Sequence, residues 1–337
     1  MIYPEFLKEK AIIGVTAPSD GTEGEPEIYR LNQAIKKVEE QGFKVLETAN
    51  IRSSELGRSS SALERAKQFE ELITNEDVKA IIHVSGGDFQ IETLPYLNFD
   101  LIKENPKWIQ GYSDPTNYLF TITTNLDIAT IYSYNFKPFG MKDWHQSLYN
   151  NLEILKGNII KQDSFDLYEN DYREYVIGDE NFNLNAPVKW DIVTGEKEVE
   201  FSGRIIGGCL DILLELIGTK YDNTKSFVEK YKDDGIIWYF DNFGVDCEHI
   251  VRCMLQLREA GWFNHVTGIV FGRSLNEESC YGVSFNDSVL TGLKDLNVPV
   301  ITNADIGHKS PMLTIINGAV ATIKCSDGKG SIEYELR

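Results

Sequence analysis

The strongest constraint on the fold is an alternation near the start of the chain, where short apolar, β-rich runs take turns with helical apolar stripes. Ala11 to Thr16 is a β-rich run that ends in the loop Ala17-Pro18-Ser19-Asp20-Gly21. Ile28, Leu31, Ile35 and Val38 then share one helical face, and Gly42 closes that helix. Phe43 to Leu46 reads as a second strand. Ser59 to Ser61 start a helix whose buried stripe is read as Leu63, Ala66, Phe69 and Leu72. Val78 to Val84 is a third strand, running into Ser85-Gly86-Gly87-Asp88, and Trp108 to Gln110 is a fourth. Strands and helices alternating at this spacing predict a parallel sheet flanked by helices. Functional loops in such sheets lie outside the carboxyl ends of the strands, which is where Gly86-Gly87 and the segment after Gln110 fall.

That segment reads Gly111-Tyr112-Ser113-Asp114-Pro115-Thr116. Gly111 permits a sharp turn, and Pro115 suits the first turn of a helix because its missing N–H costs nothing there. Ser113 therefore sits between a strand and a helix N-terminus, the geometry of a nucleophile elbow with backbone N–H groups close by to face an oxyanion. The same residues also read as an ordinary helix start with Ser113 or Asp114 as N-cap.

The second half has a different texture. Asp163 to Trp190 is polar, acidic and without a clean period, and reads as a connection. Ser202 to Ile206 is a strand, with Gly207-Gly208 expected to turn into a helix from Leu210 to Ile217. Gly235 to Phe240 is a strand ended by Asp241. Asp246 is an expected N-cap for a helix carrying Ile250, Met254 and Leu257. Val266 to Phe271, Val298 to Ile301, Leu313 to Ile316, Ala319 to Lys324 and Ile332 to Leu336 complete a mixed, β-rich region. The expected organisation is an α/β N-terminal domain over 1–165 carrying the elbow, a linker over 166–200, and a β-rich C-terminal domain over 201–337.

Charge narrows the partners. A formal net charge of -19 sets the chain against nucleic acid and anionic membranes. The five cysteines form no C-x-x-C pair, which argues against a zinc site or a disulfide framework and for a reducing compartment. The first residues lack a secretory apolar core, and no run approaches a bilayer span, so the expected location is cytoplasmic. Neither G-x-G-x-x-G nor G-x-x-x-x-G-K-[ST] occurs, which weakens a nucleotide-dependent reading; no cofactor is expected.

A serine nucleophile needs a base, and the base an orienting group. His83 lies inside an apolar strand and reads as core. His145, His249 and His265 read as surface, first-turn and turn residues. His308 differs, because it follows Gly307 at the end of a strand-like segment and opens a loop. Asp241, closing an apolar strand, reads either as a turn cap or as an orienting carboxylate. Asp246, Glu248 and His249 fail as a metal set because their spacing does not place them on one face.

The chain carries, in order, Gly14-Val15-Thr16-Ala17-Pro18-Ser19, Gly86-Gly87 with Leu94-Pro95-Tyr96, and Asn105-Pro106-Lys107 leading to Gly111-Tyr112-Ser113-Asp114. Further on come Gly207-Gly208, Leu216-Ile217-Gly218-Thr219, and Gly307-His308 followed by Ile316-Asn317-Gly318. In the order and spacing of these segments, over nearly its whole length, the chain resembles the LD-carboxypeptidase family of serine peptidases, which includes the microcin C immunity proteins. The resemblance implies a Ser–His–Glu triad drawn from both domains, no metal, and a homodimer. Ser113 matches the nucleophile and His308 the base, with Gly87 (in the Gly86-Gly87 turn) and Asp114 supplying oxyanion amides. Asp241 stands where the family has glutamate, and a one-residue shift would put Phe240 there instead. Cys209 is a second departure, since many relatives have asparagine after the glycine pair.

Two substrates follow from the resemblance: a murein tetrapeptide losing its terminal D-alanine in cell-wall recycling, or a peptidyl- or aminoacyl-nucleotide amide. The second would favour an aromatic stacking platform, for which Trp144, Trp190 and Trp262 are candidates, although each reads more simply as packing. A third reading, from another class, is a binding module in which Asp241 marks lost catalysis.

Overall fold

The computed structural model describes residues 1–159, 161–171 and 175–337. The predicted alternation is present: β1 (Ile12–Thr16), α1 (Glu27–Glu40), β2 (Lys44–Glu47), α2 (Ala62–Thr74), β3 (Val78–His83), α3 (Phe99–Glu104), β4 (Trp108–Gly111), α4 (Thr116–Leu126), β5 (Thr130–Tyr132) and α5 (Gln146–Leu155). The connection then holds β6 (Gln162–Asp163), β7 (Leu167–Tyr168), β8 (Ala186–Pro187) and β9 (Asp191–Ile192), with residues 172–174 of that stretch outside the described residues. The remainder comprises β10 (Glu198–Cys209), α6 (Leu210–Leu216), α7 (Thr224–Lys230), β11 (Ile236–Asp241), α8 (Cys247–Glu259), β12 (Val266–Gly272), α9 (Phe285–Leu293), β13 (Val300–Ala304), β14 (Ile315–Asn317), β15 (Val320–Ser326) and β16 (Lys329–Glu335).

Among the described residues, one sheet has the order β14-β5-β4-β3-β1-β2 and another β6-β16-β15-β10-β11-β12-β13-β9. The first is parallel across β1 to β5, its inner strands β1, β3, β4 and β5 largely buried and β2 more exposed at the edge. Its last member, β14, returns from the C-terminal region and pairs antiparallel with β5. In the second sheet β10 to β13 run parallel, while β15 and β16 add antiparallel strands. The fold is thus mixed α/β, with a mostly parallel N-terminal sheet and a β-rich C-terminal one.

Local chemistry explains most boundaries. The hydroxyl of Ser61 accepts the Glu64 N–H at 3.3 Å and starts α2. The side chain of Asp246 accepts the His249 N–H at 2.7 Å and starts α8. Leu63, expected in the α2 stripe, is instead 45 % exposed. Residues 63 and 72 are nine apart, which at about 100° per residue places them on opposite faces. The buried arc is Arg65, Ala66, Gln68, Phe69, Leu72 and Ile73. Gly207-Gly208, expected as a turn, lie inside β10, held by parallel pairing with Tyr239 and Phe240.

His83 is a core residue. Its Nδ1 lies 2.9 Å from the Gln110 carbonyl and its Nε2 3.2 Å from the Gln90 amide nitrogen. Burial pushes its pKa down to about 4. The unfolded chain therefore binds the proton first as pH falls. The stability this group contributes is complete above about pH 6.5 and drains away as pH falls toward 4. It amounts to about 3 kcal/mol. Urea titrations should show a midpoint that falls between pH 6.5 and 4, with a shallower fall in His83→Gln. An equal fall in both proteins would refute the assignment.

Candidate active site

The carboxyl ends of the parallel strands in the two sheets face one another, and the candidate residues gather in that seam. β4 stops at Gly111 and α4 starts at Thr116. Between them Ser113 takes φ +70°, a left-handed conformation that a non-glycine residue adopts at a cost of about 1 kcal/mol or more. The turn is closed by Thr116 N–H donating to the Ser113 carbonyl at 2.9 Å and Asn117 N–H to the Asp114 carbonyl at 3.0 Å. Pro115 holds the N-cap position with no side-chain cap, so the strand–turn–helix has the form of the elbow. The Asp114 carboxylate is fully buried. It accepts from the Ser19 hydroxyl, from Gln90 N–H at 2.9 Å and from the Asn117 amide at 2.8 Å. It thereby staples the loops after β1 and β3 to the start of α4. Burial nonetheless pushes its pKa up, against those hydrogen bonds.

Gly86 and Gly87 approach that turn from the end of β3. A Cβ on Gly86 would lie 3.1 Å from Ser113 Cβ and 3.2 Å from its Oγ. Gly87 has φ +145°, and a Cβ there would lie 2.3 Å from Ser19 Oγ. A side chain at 86 would crowd Ser113, and one at 87 would collide with Ser19, so the glycine pair leaves room at this turn.

His308 and Asp241 come together across the second sheet. His308 Nδ1 lies 2.8 Å from Asp241 Oδ2, an ion-pair distance with the N–H axis turned off the line between the atoms. The His308 backbone N–H also approaches Asp241 Oδ1 at 3.4 Å. Gly307, at φ +91°, makes this possible: a Cβ there would sit 1.9 Å from Asp241 Oδ1. The imidazole lies between the Tyr112 ring at 5.0 Å and the Phe243 ring at 4.7 Å. Asp241 is fully buried, and its Oδ2 also accepts the Tyr132 hydroxyl at 2.6 Å. Tyr132 Oη in turn accepts the Ser113 N–H at 3.3 Å. A continuous path of polar contacts therefore runs from His308 through Asp241 and Tyr132 to the backbone of Ser113.

Two further devices fix this arrangement. The Asp211 carboxylate accepts Phe243 N–H at 3.1 Å and Gly244 N–H at 2.8 Å, pinning the loop that lays Phe243 on His308. Arg273, at the end of β12, pairs with buried Asp305 and donates to the carbonyls of Lys309 and Pro311, while Trp190 Nε1 donates to Asp305 at 2.8 Å. This buried guanidinium braces the backbone that follows His308. Neither Tyr132 nor Arg273 figured in the sequence reading. Tyr132 ends a strand on the same sheet edge as Gly86 and Ser113, so the edge rule was the signal that could have found it.

The other candidates sit elsewhere. His145 accepts Ser147 N–H at the start of α5, His249 is exposed on α8, and His265 pairs with Glu229. Cys209 is buried beside Asp241, and burial together with the Asp241 and Asp211 carboxylates pushes its thiol pKa well up, which disfavours the thiolate. Trp262 stacks in the core on Trp238, Trp190 is buried on Asp305, and Trp144 donates to the Phe139 carbonyl.

A cleft opens beside His308 and Tyr112, and a second opens beside Gly86; they share Arg30, Tyr112, Pro138 and Tyr175. Among the described residues, Glu169, Asp171, Asp179 and Glu180 line the first together with Arg30 and Lys309. An imidazole beside a buried carboxylate, linked through Tyr132 to the backbone of a serine on a strained turn, brings together the residue types that acyl transfer needs.

Residues 13–133 match the LD-carboxypeptidase N-terminal domain and residues 202–323 the LD-carboxypeptidase C-terminal domain. The chain is 27% identical over 304 residues to the microcin C7 self-immunity protein of Escherichia coli, covering 87% of this chain and 85% of that one. It is 22% identical over 335 residues to the probable murein peptide carboxypeptidase of Bacillus subtilis, covering 98% and 94%. The crystal structure of an MccF-like protein from Bacillus anthracis superposes with a TM-score of 0.84 at 26% identity, covering all of both chains.

Proposed function

Because the chain belongs to the LD-carboxypeptidase family, we propose that it is a serine hydrolase using Ser113, His308 and Asp241. Its reaction is cleavage of the amide before a small terminal amino acid, as in release of D-alanine from a murein tetrapeptide. The observation that carries this reading is the 2.8 Å contact of His308 with a buried Asp241, tied through Tyr132 to the elbow. His308 takes the Ser113 proton as Oγ attacks the scissile carbonyl. The amides of Gly87 and Asp114 receive the oxyanion. The imidazolium, held by Asp241, gives its proton to the leaving amine, and water then releases the acyl group by the same path. Asp can stand in for Glu here because Gly307 lets the backbone of the histidine loop close onto the shorter carboxylate.

A second reading, hydrolysis of an aminoacyl-nucleotide amide, draws support from Tyr112, Tyr134, Tyr175 and Phe182, which give the cleft aromatic faces for a base. Among the described residues no helix is long and apolar enough to cross a membrane. We place the reaction in the cytoplasm, performed by a homodimer on a small-molecule substrate.

The test is incubation with UDP-linked muramoyl tetrapeptide, read by mass spectrometry. Loss of one D-alanine is expected, and none with Ser113→Ala. If the tetrapeptide survives while an aminoacyl sulfamoyl adenosine is cut, the second reading replaces the first. Survival of both substrates would favour a binding module.

A further inference from the structure

We propose that Tyr132 is a positioning residue that couples the nucleophile turn to the acid; the inference rests on the serine-hydrolase reading above. Tyr132 ends β5 in the first sheet, and Asp241 ends β11 in the second. The phenol O–H donates to Asp241 Oδ2 at 2.6 Å, and the phenol oxygen accepts the Ser113 N–H at 3.3 Å. One hydroxyl thus touches both halves of the proposed machinery, although the residues belong to different sheets.

The geometry is held on every side. Tyr132 and Asp241 are both buried, and a buried carboxylate without donors would be strongly destabilising. The Tyr132 ring meets Tyr112 edge-on at 6.4 Å and Tyr239 at 5.4 Å. Tyr239 is itself anchored, its hydroxyl donating to Asn317 at 2.9 Å. The titratable groups facing the phenol are Asp241 and Tyr239 from β11, Cys209 from the end of β10, and Tyr112 from the turn after β4, with His308 behind Asp241. Burial, then the Asp241 charge, keeps the phenol protonated and therefore a donor.

The consequence lies in how Asp241 divides its charge. Oδ2 is the oxygen that both Tyr132 and His308 Nδ1 approach, at 2.6 and 2.8 Å. The phenol O–H draws off part of the negative charge that would otherwise stabilise the imidazolium. At the same time it fixes the carboxylate rotamer and gives the strained Ser113 turn an acceptor for its amide. A phenylalanine at this position keeps the ring packing and loses only these polar functions.

The experiment follows the pH dependence of labelling by an alkyl fluorophosphonate, in which Ser113 Oγ bonds to phosphorus, fluoride leaves and the serine proton passes to His308. Wild type is expected to label and Ser113→Ala not to label. Tyr132→Phe should label about tenfold to a hundredfold more slowly at the plateau, with unchanged saturation by the probe. Its acid limb should move to higher pH by about one unit, because all of the Asp241 charge then serves the imidazolium. Should the phenylalanine variant fail to fold, 3-fluorotyrosine in place of Tyr132 keeps the hydroxyl as a stronger donor and should move the acid limb lower. A purely space-filling tyrosine predicts no movement in either. Wild-type rate and an unmoved acid limb in Tyr132→Phe, with labelling still dependent on Ser113, overturn this inference alone. Absence of Ser113-dependent labelling in wild type overturns the serine-hydrolase reading, and this inference with it.

Discussion

Ser113→Ala is expected to lower kcat/KM on the true substrate by about 10⁴- to 10⁶-fold while leaving the thermal midpoint close to wild type. The size follows from the chemistry. Without Oγ no acyl-enzyme forms, and what remains is the contribution of binding and of the oxyanion amides. Stability should change little. Ser113 is partly exposed, and the β-carbon that keeps its turn in place is retained. The left-handed turn is held by bonds from the backbone of Thr116 and to the phenol of Tyr132, none of which uses the serine hydroxyl. A variant retaining more than about one hundredth of wild-type activity would remove Ser113 as nucleophile.

The second large effect is expected at Asp241. Asp241→Asn preserves shape but removes the charge that stabilises the imidazolium and sets its tautomer. A fall of about 10⁴-fold in kcat is expected with KM little altered. Asp241→Glu, although it restores the residue type implied by the family resemblance, should not act as an improvement here. The carboxylate already abuts the Gly307 backbone, where a Cβ would lie 1.9 Å from Oδ1, so an extra methylene must displace the His308 loop. That loop is braced by Arg273 and cannot yield freely. Overpacking of this kind costs about 1–3 kcal/mol, and activity should fall about tenfold or more. Steady-state kinetics with parallel thermal melts separate the two variants. Wild-type kcat in Asp241→Asn would show that His308 is oriented by something else, and higher kcat in Asp241→Glu would show that the histidine loop yields.

These two variants also decide between an enzyme and a binding module. A module would bind substrate unchanged in every variant and turn over in none. The charge of Asp241 is costly to bury, and the structure surrounds it with the Tyr132 hydroxyl, the His308 ring and the His308 amide.

Much of the α/β half was legible because its information is local. Helix α1 shows its apolar face at 3.6-residue spacing, α2 and α8 begin at Ser61 and Asp246 as capping chemistry demands, and β4 leads through Gly111 to a proline-started helix. Misreadings occurred where a pattern had two solutions. A three-residue spacing put Leu63 on the buried face of α2, although it drifts around the helix. The glycine pair at 207–208 looked like a turn, although β10 carries it along β11, paired with Tyr239 and Phe240. The return of β14 to the first sheet has no local signal at all, because edge pairing is chosen by what the rest of the chain leaves open.

The candidate site divides in the same way. The sequence by itself determined that a serine would stand on a sharp strand-to-helix turn at a sheet edge, beside a glycine pair, because turn chemistry and strand ends are set by residues a few positions apart. It also singled out His308 and Asp241 as candidates. Only the tertiary structure decided that residues 67 positions apart meet at 2.8 Å, that Arg273 braces the histidine loop, and that Tyr132 bridges acid and nucleophile. Those contacts depend on two sheets meeting at their carboxyl edges, and the packing that brings them together is a property of the whole core, not of any one segment.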